Sequence, residues 1–541
     1  MKNSSDCRPL PNLQEAGDYY WQSGKTGEFT LGWCSGCQHW LHPAREICPD
    51  CTTPPSPKTA SGQARLITYT INHQPWIKGL ETPYIIAIVA PVEAPDIQLT
   101  TNLVDVSHEQ LLIGMALQSD WRCCKDVWLP VFKPRNNPVK KSETRAPAII
   151  RFSSTSEKYE NASAFTGAGK SSIARKLPQS PLMLTAEACI NAIADSGLNR
   201  ADIDGLCAYP GTSGMPGLSS GGVREIAYAL NFQTNWHTGA QELPGQAGTI
   251  PSAMLAIASG LCNHVLCFTS FSASNRPLPN DLLESVVGEP RWSLPYGCVS
   301  PANWIGMYAN RYLHQYGASE TLLGTLAIAQ RQNAELNPEA LYRNPLNMEN
   351  YLGSRKISTP FKLLDCDTPC DGAIAFVISK AERARDLPKK PVYIEACGTA
   401  FAETQSWDQG TVVYQPNVLS ASQHLWSRTD LSPKDIDLAE LYDGFTFNTI
   451  CWLEALGFCD PGGATDFIGD GSRILINGQL PINTHGGHLN AGRSNGYGHI
   501  YEAITQLRGE AGVRQVNDAK IAAVSTGGGI PASAMLLKTE P

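Results

Sequence analysis

Leu198-Asn-Arg-Ala-Asp-Ile-Asp204 and Leu431-Ser-Pro-Lys-Asp-Ile-Asp437 are two copies of one short pattern. Each follows a helix-like stretch and runs into a strand-like segment closing on tyrosine, Gly205-Leu-Cys-Ala-Tyr209 and Leu438-Ala-Glu-Leu-Tyr442. Leucine, both aspartates, isoleucine and the tyrosine coincide. Five coincidences lie within reach of chance, but the shared helix–Leu-x₃-Asp-Ile-Asp–strand context favours an internal duplication.

Outward from the two copies, from about residue 160 onward, strand and helix patterns alternate. Helical spacing runs from Ser180 to Ser196 and stops at Gly197. Further helices are expected over 253–259, 308–316, 320–336 and 500–508. Strands are expected over 265–268, 373–378 and 391–395. Alternation of this kind over some 380 residues indicates an α/β fold with mostly parallel strands.

The chain before residue 160 reads differently. Cys34, Cys37, Cys48 and Cys51 have the spacing C-x₂-C-x₁₀-C-x₂-C. Two such knuckles close a tetrahedral site around a structural Zn²⁺, and four thiolates leave no position open for substrate. An iron–sulfur centre or a ribbon without metal are the alternatives. After the knuckles come short β-rich runs, Arg65–Asn72, Pro83–Ala90, Ile97–Val104 and a segment from Met115, as in a small oligomer-binding (OB) barrel. The polar, basic stretch from Lys133 to Lys141, with Pro134 and Pro138, reads as a linker.

The 541 residues are too many for one core. A net charge of −8 argues against nucleic acid as a partner. No run of eighteen apolar residues exists, so no membrane span is expected. The first twenty residues lack an apolar core, and the scattered cysteines in apolar runs look like reduced core residues. A cytoplasmic location is expected.

Three stretches can carry chemistry. In Asn483-Thr-His-Gly-Gly-His-Leu-Asn-Ala-Gly-Arg-Ser-Asn-Gly-Tyr-Gly-His499, five glycines allow close backbone approach and free N–H groups for an oxyanion. His485, His488, His499, Arg493 and Tyr497 add polar groups to it. Loop packing or capping is the alternative for the histidines. Glu440-Leu-Tyr-Asp-Gly-Phe-Thr446 places a Tyr-Asp pair where a strand meets a glycine, and Ser525-Thr-Gly-Gly-Gly-Ile-Pro531 is a glycine turn after an apolar strand. A core tyrosine and a plain chain reversal are their alternatives.

Residues 160–541 resemble the thiolase superfamily, in its lipid-transfer-protein (sterol-carrier-protein-x) branch. The likeness rests on Glu440–Thr446, on Asp365-Cys-x₄-Asp371-Gly-Ala-x-Ala, on Asn483-Thr-His-Gly-Gly487 and on Gln506-Leu-Arg-Gly509. Residues 15–135 resemble the zinc-ribbon plus OB-fold family, domain of unknown function 35, through the four cysteines, Pro83–Val89 and Leu129–Phe132. The resemblance implies a five-layer αβαβα fold of two similar halves, behind a zinc ribbon and a small β-barrel. The expected organisation is a helical lead (1–28), the ribbon (29–60), the OB barrel (61–135), a linker (136–160) and two thiolase-like halves (161–390, with inserted loops, and 391–541).

The thiolase cysteines are missing. The turn opening the helix that ends near Gly260 is Glu242-Leu-Pro-Gly-Gln-Ala-Gly248, the second cysteine position holds Ser525, and Arg493 stands at the family's histidine. Without a thiol no acyl-enzyme forms by the usual route. The branch lacking these cysteines resembles acyl-CoA retro-aldolases of steroid side chains, which cleave a 3-hydroxyacyl-CoA into a ketone and a shorter acyl-CoA. That likeness implies Tyr442 as the proton-transfer residue and a second tyrosine where Arg493 stands, with Tyr497 four residues on; a tyrosine with a free pKa of about 10 needs a neighbouring cation to act as a base, a part expected of Arg493, with His485 and Asp443 as further partners. Gly486, Gly487, Gly527 and Gly528 are expected to line the CoA thioester, with zinc at Cys34, Cys37, Cys48 and Cys51. It also implies a homodimer, a small domain near the active-site entrance and a hydratase supplying the hydroxyacyl-CoA. A carbon–carbon-forming aldolase or acyltransferase, and a non-catalytic acyl-CoA or lipid binder, are the other readings.

Overall fold

The computed structural model describes residues 8–77, 80–136, 158–210, 222–239, 243, 246–273, 285–400, 407–411, 416–528 and 532–541. Most of the expected linker, three residues of the Glu242–Gly248 turn and Gly529–Pro531 therefore lie outside the described residues.

Nine strands make the main sheet: β1 (Ser163–Lys170), β2 (Gly205–Tyr209), β3 (Trp236–Gly239), β4 (His264–Ser272), β5 (Asp371–Lys380), β6 (Val392–Gly398), β7 (Leu438–Glu440), β8 (Ile521–Thr526) and β9 (Ser533–Lys538). Their order is β3-β2-β4-β5-β1-β6-β9-β8-β7. Apart from the edge strand β3, the order is palindromic: β2-β4-β5-β1 meets β6-β9-β8-β7. Only β2–β3, β2–β4 and β7–β8 pair in parallel. The sheet is thus more antiparallel than the alternation of elements implied. The halves join through two residue pairs, Ala164↔Tyr393 and Phe165↔Val392.

The repeated pattern has a physical job in both halves. Asp204, before β2, accepts the N–H groups of Asn263 and His264 at the start of β4. Asp437, before β7, accepts those of Lys520 and Ile521 at the start of β8. The first aspartate of each copy folds back on its own turn: Asp202 accepts from Asn199 N–H and Asp435 from Ser432 N–H. The same three N–H groups are thus held in each half, two of them tying the parallel strand pair and one closing the turn before it.

Helices cover both faces. Pro181–Ser196, started by the Ser180 side chain and stopped by Gly197 in left-handed backbone, packs with Val223–Leu230 outside the first half. Thr249–Ala258 and Tyr497–Arg508 lie between the halves; Ile250, Met254, Ile500 and Ile504 meet Phe165, Cys267, Val524 and Leu537 in one core. Pro416–Trp426 and Thr446–Ala455 cover the second half. These are five layers, αβαβα.

In the N-terminal region Phe29–Cys34 pairs with His39–Leu41 and Ser56–Ala60 to form the ribbon. Five strands follow: Gln63–Asn72, Tyr84–Pro91, Leu99–Asn102, Ala116–Cys124 and Val127–Pro134. The first pairs with both the second and the fourth, and a bridge between Leu103 and Phe132 closes the barrel. Lys133 and Pro134, read from sequence as linker, instead end the last strand, where Lys133 Nζ meets Asp120 at 2.7 Å. Pairing of Ser358 with Asn72 adds a short hairpin from the main body to the barrel sheet. The helix Pro301–Tyr316 seats the barrel: Thr68 donates to Met307 O (2.6 Å), and Asn310 and Arg311 donate to Tyr69 O and Ile67 O. Ile67, Ile86 and Ile88 share a core with Ile305, Tyr308 and Tyr312. Burying this apolar face makes barrel and body one packed unit.

Candidate active site

Strand β7 ends at Glu440, and Leu441-Tyr442-Asp443-Gly444 leaves the sheet into a set of interlocking loops. Asn483, in left-handed backbone, grips Leu441 at both ends, donating to its carbonyl (2.8 Å) and accepting its N–H (2.7 Å). Tyr442 N–H donates to Ser525 Oγ at 2.8 Å. The residue at the missing second cysteine is therefore a backbone support for Tyr442. Asp443 is wholly buried. Its carboxylate accepts His488 N–H (2.8 Å), Leu489 N–H (3.2 Å) and His499 Nε2–H (3.0 Å). Gly487 must be glycine: its φ is +66°, and a Cβ there would fall on that carboxylate.

Tyr442 is 8% exposed. Its hydroxyl accepts Gln246 Nε2–H at 3.4 Å. Its ring stands edge-on to His488, centroids 5.1 Å apart, and Gly444 and Gly528 leave room for it. Burial pushes the phenol pKa above its ordinary value and Asp367 adds to this, while Gln246 and Arg493 pull it down by less. Arg493 Nε stands 3.7 Å from Asp367 Oδ2, so the cation is answered by a carboxylate. Tyr442 is consequently a protonated phenol at rest. The expectation that Arg493 converts it to a base is corrected here: the Asp367 carboxylate and the dry surroundings outweigh the guanidinium.

The other expected residues fall into different places. Tyr497 opens the helix Tyr497–Arg508 but is wholly buried, its ring stacked on Phe376 (5.5 Å) and its hydroxyl bonded to Thr249. It stands in the core between the sheet halves, so its expected place beside Tyr442 as a proton-transfer partner is corrected. His485 puts Nδ1 3.0 Å from the buried Glu440 carboxylate. Burial opposes its charge, but Glu440, Glu502 and Asp443 together raise its pKa, which favours the charged ring. Gly486 N–H is used by Asn483 O (2.8 Å). Those of Gly487, Gly527 and Gly528 meet no acceptor among the described residues. Two residues were not singled out from sequence, Gln246 and Asp367. Each lies inside a quoted motif, but no periodicity marks a residue that reaches the site from another loop.

In the ribbon, Cys34 and Cys48 are buried, Cys34 Sγ lies 3.4 Å from Cys51 Sγ, and Cys37 Sγ lies 3.9 Å from Cys48 Sγ. All four sulfurs fall within 4.8 Å of one another. A tetrahedral Zn²⁺ with bonds of about 2.3 Å sets its sulfurs about 3.8 Å apart. The donor set fits that ion. Among the described residues no helix is long and apolar enough to cross a membrane.

Comparison with known proteins agrees with this geometry. Residues 399–538 match the thiolase C-terminal domain-like family, and residues 58–122 match the ChsH2 C-terminal OB-fold domain. The chain is 34% identical to a steroid side-chain-cleaving aldolase of Thermomonospora curvata over 70% of its own length and 97% of that protein. It is 35% identical to the 17-hydroxy-3-oxo-4-pregnene-20-carboxyl-CoA lyase of Mycobacterium tuberculosis, over 69% and 98%. A solved Ltp2-ChsH2(DUF35) aldolase structure superposes with a TM-score of 0.63 at 33% identity, covering 70% of this chain and 98% of that one. The five-layer body and these likenesses converge: the chain belongs to the thiolase-like aldolases, carbon–carbon lyases of CoA thioesters, with an OB-fold domain on the same polypeptide.

Proposed function

We propose that the protein cleaves a 3-hydroxyacyl-CoA carrying a steroid side chain into a ketone and a shorter acyl-CoA, with Tyr442 as the proton-transfer residue. The observation that carries the residue assignment is the buried Tyr442 hydroxyl at the β7 exit, bonded to Gln246 Nε2, in a site where Ser525 stands at the second thiolase cysteine position. The reaction breaks the Cα–Cβ bond; its electrons enter the thioester as an enolate, the β-hydroxyl loses its proton, and the α-carbon gains one. Tyr442 donates to the α-carbon as the hydroxyl proton replaces the one it gives up, so the protein ends unchanged. The N–H groups of Gly487, Gly527 and Gly528 support an oxyanion role at the thioester; one such donor is worth roughly 3–4 kcal/mol in other enzymes. Arg493, held by Asp367, and Gln246 orient the substrate around Tyr442.

Zinc in this account closes the ribbon through Cys34, Cys37, Cys48 and Cys51 and takes no part in the chemistry. The shared barrel–body core supports a single-chain version of the two-component arrangement named in the Ltp2-ChsH2 relative. A homodimer, a cytoplasmic location and a hydratase that forms the 3-hydroxyl group complete the proposal. The test is to incubate the purified protein with a panel of 3-hydroxyacyl-CoA thioesters and follow acetyl-CoA and propionyl-CoA by mass spectrometry. Wild-type release of the shorter thioester, lost in Tyr442→Phe, supports the reading. Wild type and variant behaving alike would point to a binder.

A further inference from the structure

Behind Tyr442 lie two imidazole nitrogens with no partner among the described residues, His488 Nδ1 and His499 Nδ1, both buried. Orphaned buried polar atoms are uncommon and need a reason. Their neighbours fix the tautomers. His488 Nε2 accepts Gly496 N–H (3.3 Å), and burial with three neighbouring cations or imidazoles keeps the ring neutral, so its proton sits on Nδ1. His499 Nε2 faces the Asp443 carboxylate at 3.0 Å and donates to it, which leaves its Nδ1 without a partner among the described residues. Two unpaired nitrogens thus stand on rings whose centroids are 4.4 Å apart.

The series continues on both sides. His488 packs against Tyr442. His499 packs at right angles to His485 (5.3 Å). His485 Nδ1 stands 3.0 Å from Glu440 Oε2, and its Nε2 lies beside Gly498 on a polar pocket of about 370 Å³, lined also by Ser494, Glu502 and Arg514. The pocket's charges are matched, Lys170 with Glu339 and Arg514 with Glu502, so it offers water rather than a charged ligand.

We propose that His488, His499 and His485 form a proton path joining the Tyr442 site to water in this pocket. The inference rests on the assignment of Tyr442 above. Cleavage itself is proton-neutral and makes no demand on the path. Exchange does: for the product acyl-CoA to trade an α-hydrogen with solvent, Tyr442 must pass its proton outward, take one from the α-carbon, and be resupplied from water.

The test uses propionyl-CoA alone in D₂O, with α-hydrogen loss followed by NMR, beside cleavage of a confirmed 3-hydroxyacyl-CoA. His499→Gln keeps a donor for Asp443 and removes the bare nitrogen. It is expected to lower washout at least tenfold more than it lowers cleavage. Equal losses, or no loss of washout, overturn the path. If Tyr442→Phe retains both reactions, the Tyr442 assignment fails first. Should His499→Gln not fold, the wild type still decides: washout rate against deuterium fraction is expected to be curved, as for several protons in transit, and a straight line overturns the proposal.

Discussion

Removing only the Tyr442 hydroxyl separates chemistry from folding. In Tyr442→Phe the ring keeps its edge-on packing with His488 and its place over Gly444 and Gly528. The main chain keeps the 2.8 Å bond from its N–H to Ser525. Among the described residues the one hydrogen bond lost is the long 3.4 Å contact from Gln246. A good hydrogen bond contributes about 0.5–1.5 kcal/mol net, so stability should change by about 1 kcal/mol or less. Turnover should fall by roughly 10²–10⁴-fold, the range for a general acid–base group, or about 3–5 kcal/mol of barrier. The assay pairs kcat on a confirmed 3-hydroxyacyl-CoA with a thermal melt of the same preparation. Near-normal cleavage by a folded variant would refute the reasoning and move the assignment to another group.

Further expectations follow from the same geometry. Gly487→Ala combines left-handed strain of about 1–2 kcal/mol with a Cβ 2.8 Å from Asp443 Cγ, so its melting temperature should drop by several degrees and activity should fall with it; an unchanged melt would contradict the packing described. Purified, unchelated protein should carry close to one zinc per chain, and Cys48→Ser should abolish it and unfold the ribbon, since binding and folding are coupled in such sites; absence of zinc by elemental analysis argues against the site. His485 has a raised folded-state pKa because of Glu440, so its stabilisation is full below the unfolded value near 6.5 and is lost as pH rises through the folded value. Melts of wild type against His485→Gln should therefore converge at high pH, and a constant gap would speak against an imidazolium. Arg428→Met strands the wholly buried Glu160 carboxylate, which Arg428 holds through two 2.8 Å bonds, and should cost about 3–5 kcal/mol in denaturant unfolding.

Much of the architecture is readable in the residues because local rules decide it. The Leu-x₃-Asp-Ile-Asp copies are visible because each aspartate must meet the N–H groups of the neighbouring strand, an obligation repeated in both halves. Ser180 and Gly197 announce a helix by capping chemistry alone. The cysteine knuckles are legible because metal geometry dictates their spacing. What escaped depends on contacts distant in the chain. The protonation of Tyr442 is set by burial and by Asp367 against the opposing pull of Gln246 and Arg493, residues that are not adjacent to it in sequence. Tyr497 looked available because it sits in a glycine-rich loop, yet the helix it opens turns it onto Phe376 and Thr249. Arg493 carried an expectation of activation that a carboxylate from the Asp365–Asp371 segment offsets. Ser525 read as the missing second cysteine, and its use as an acceptor for Tyr442 N–H emerges only once β7 and β8 pair.

The most direct test of the central claim uses the fact that retro-aldol cleavage needs no acyl acceptor, whereas thiolysis consumes free CoA. Wild-type protein is mixed with a steroid side-chain 3-hydroxyacyl-CoA in the absence of CoA, and products are read by mass spectrometry. The account predicts a ketone and a shortened acyl-CoA in equal amounts. Cleavage that appears only when CoA is added, or no carbon–carbon cleavage of any thioester in the panel, would contradict it.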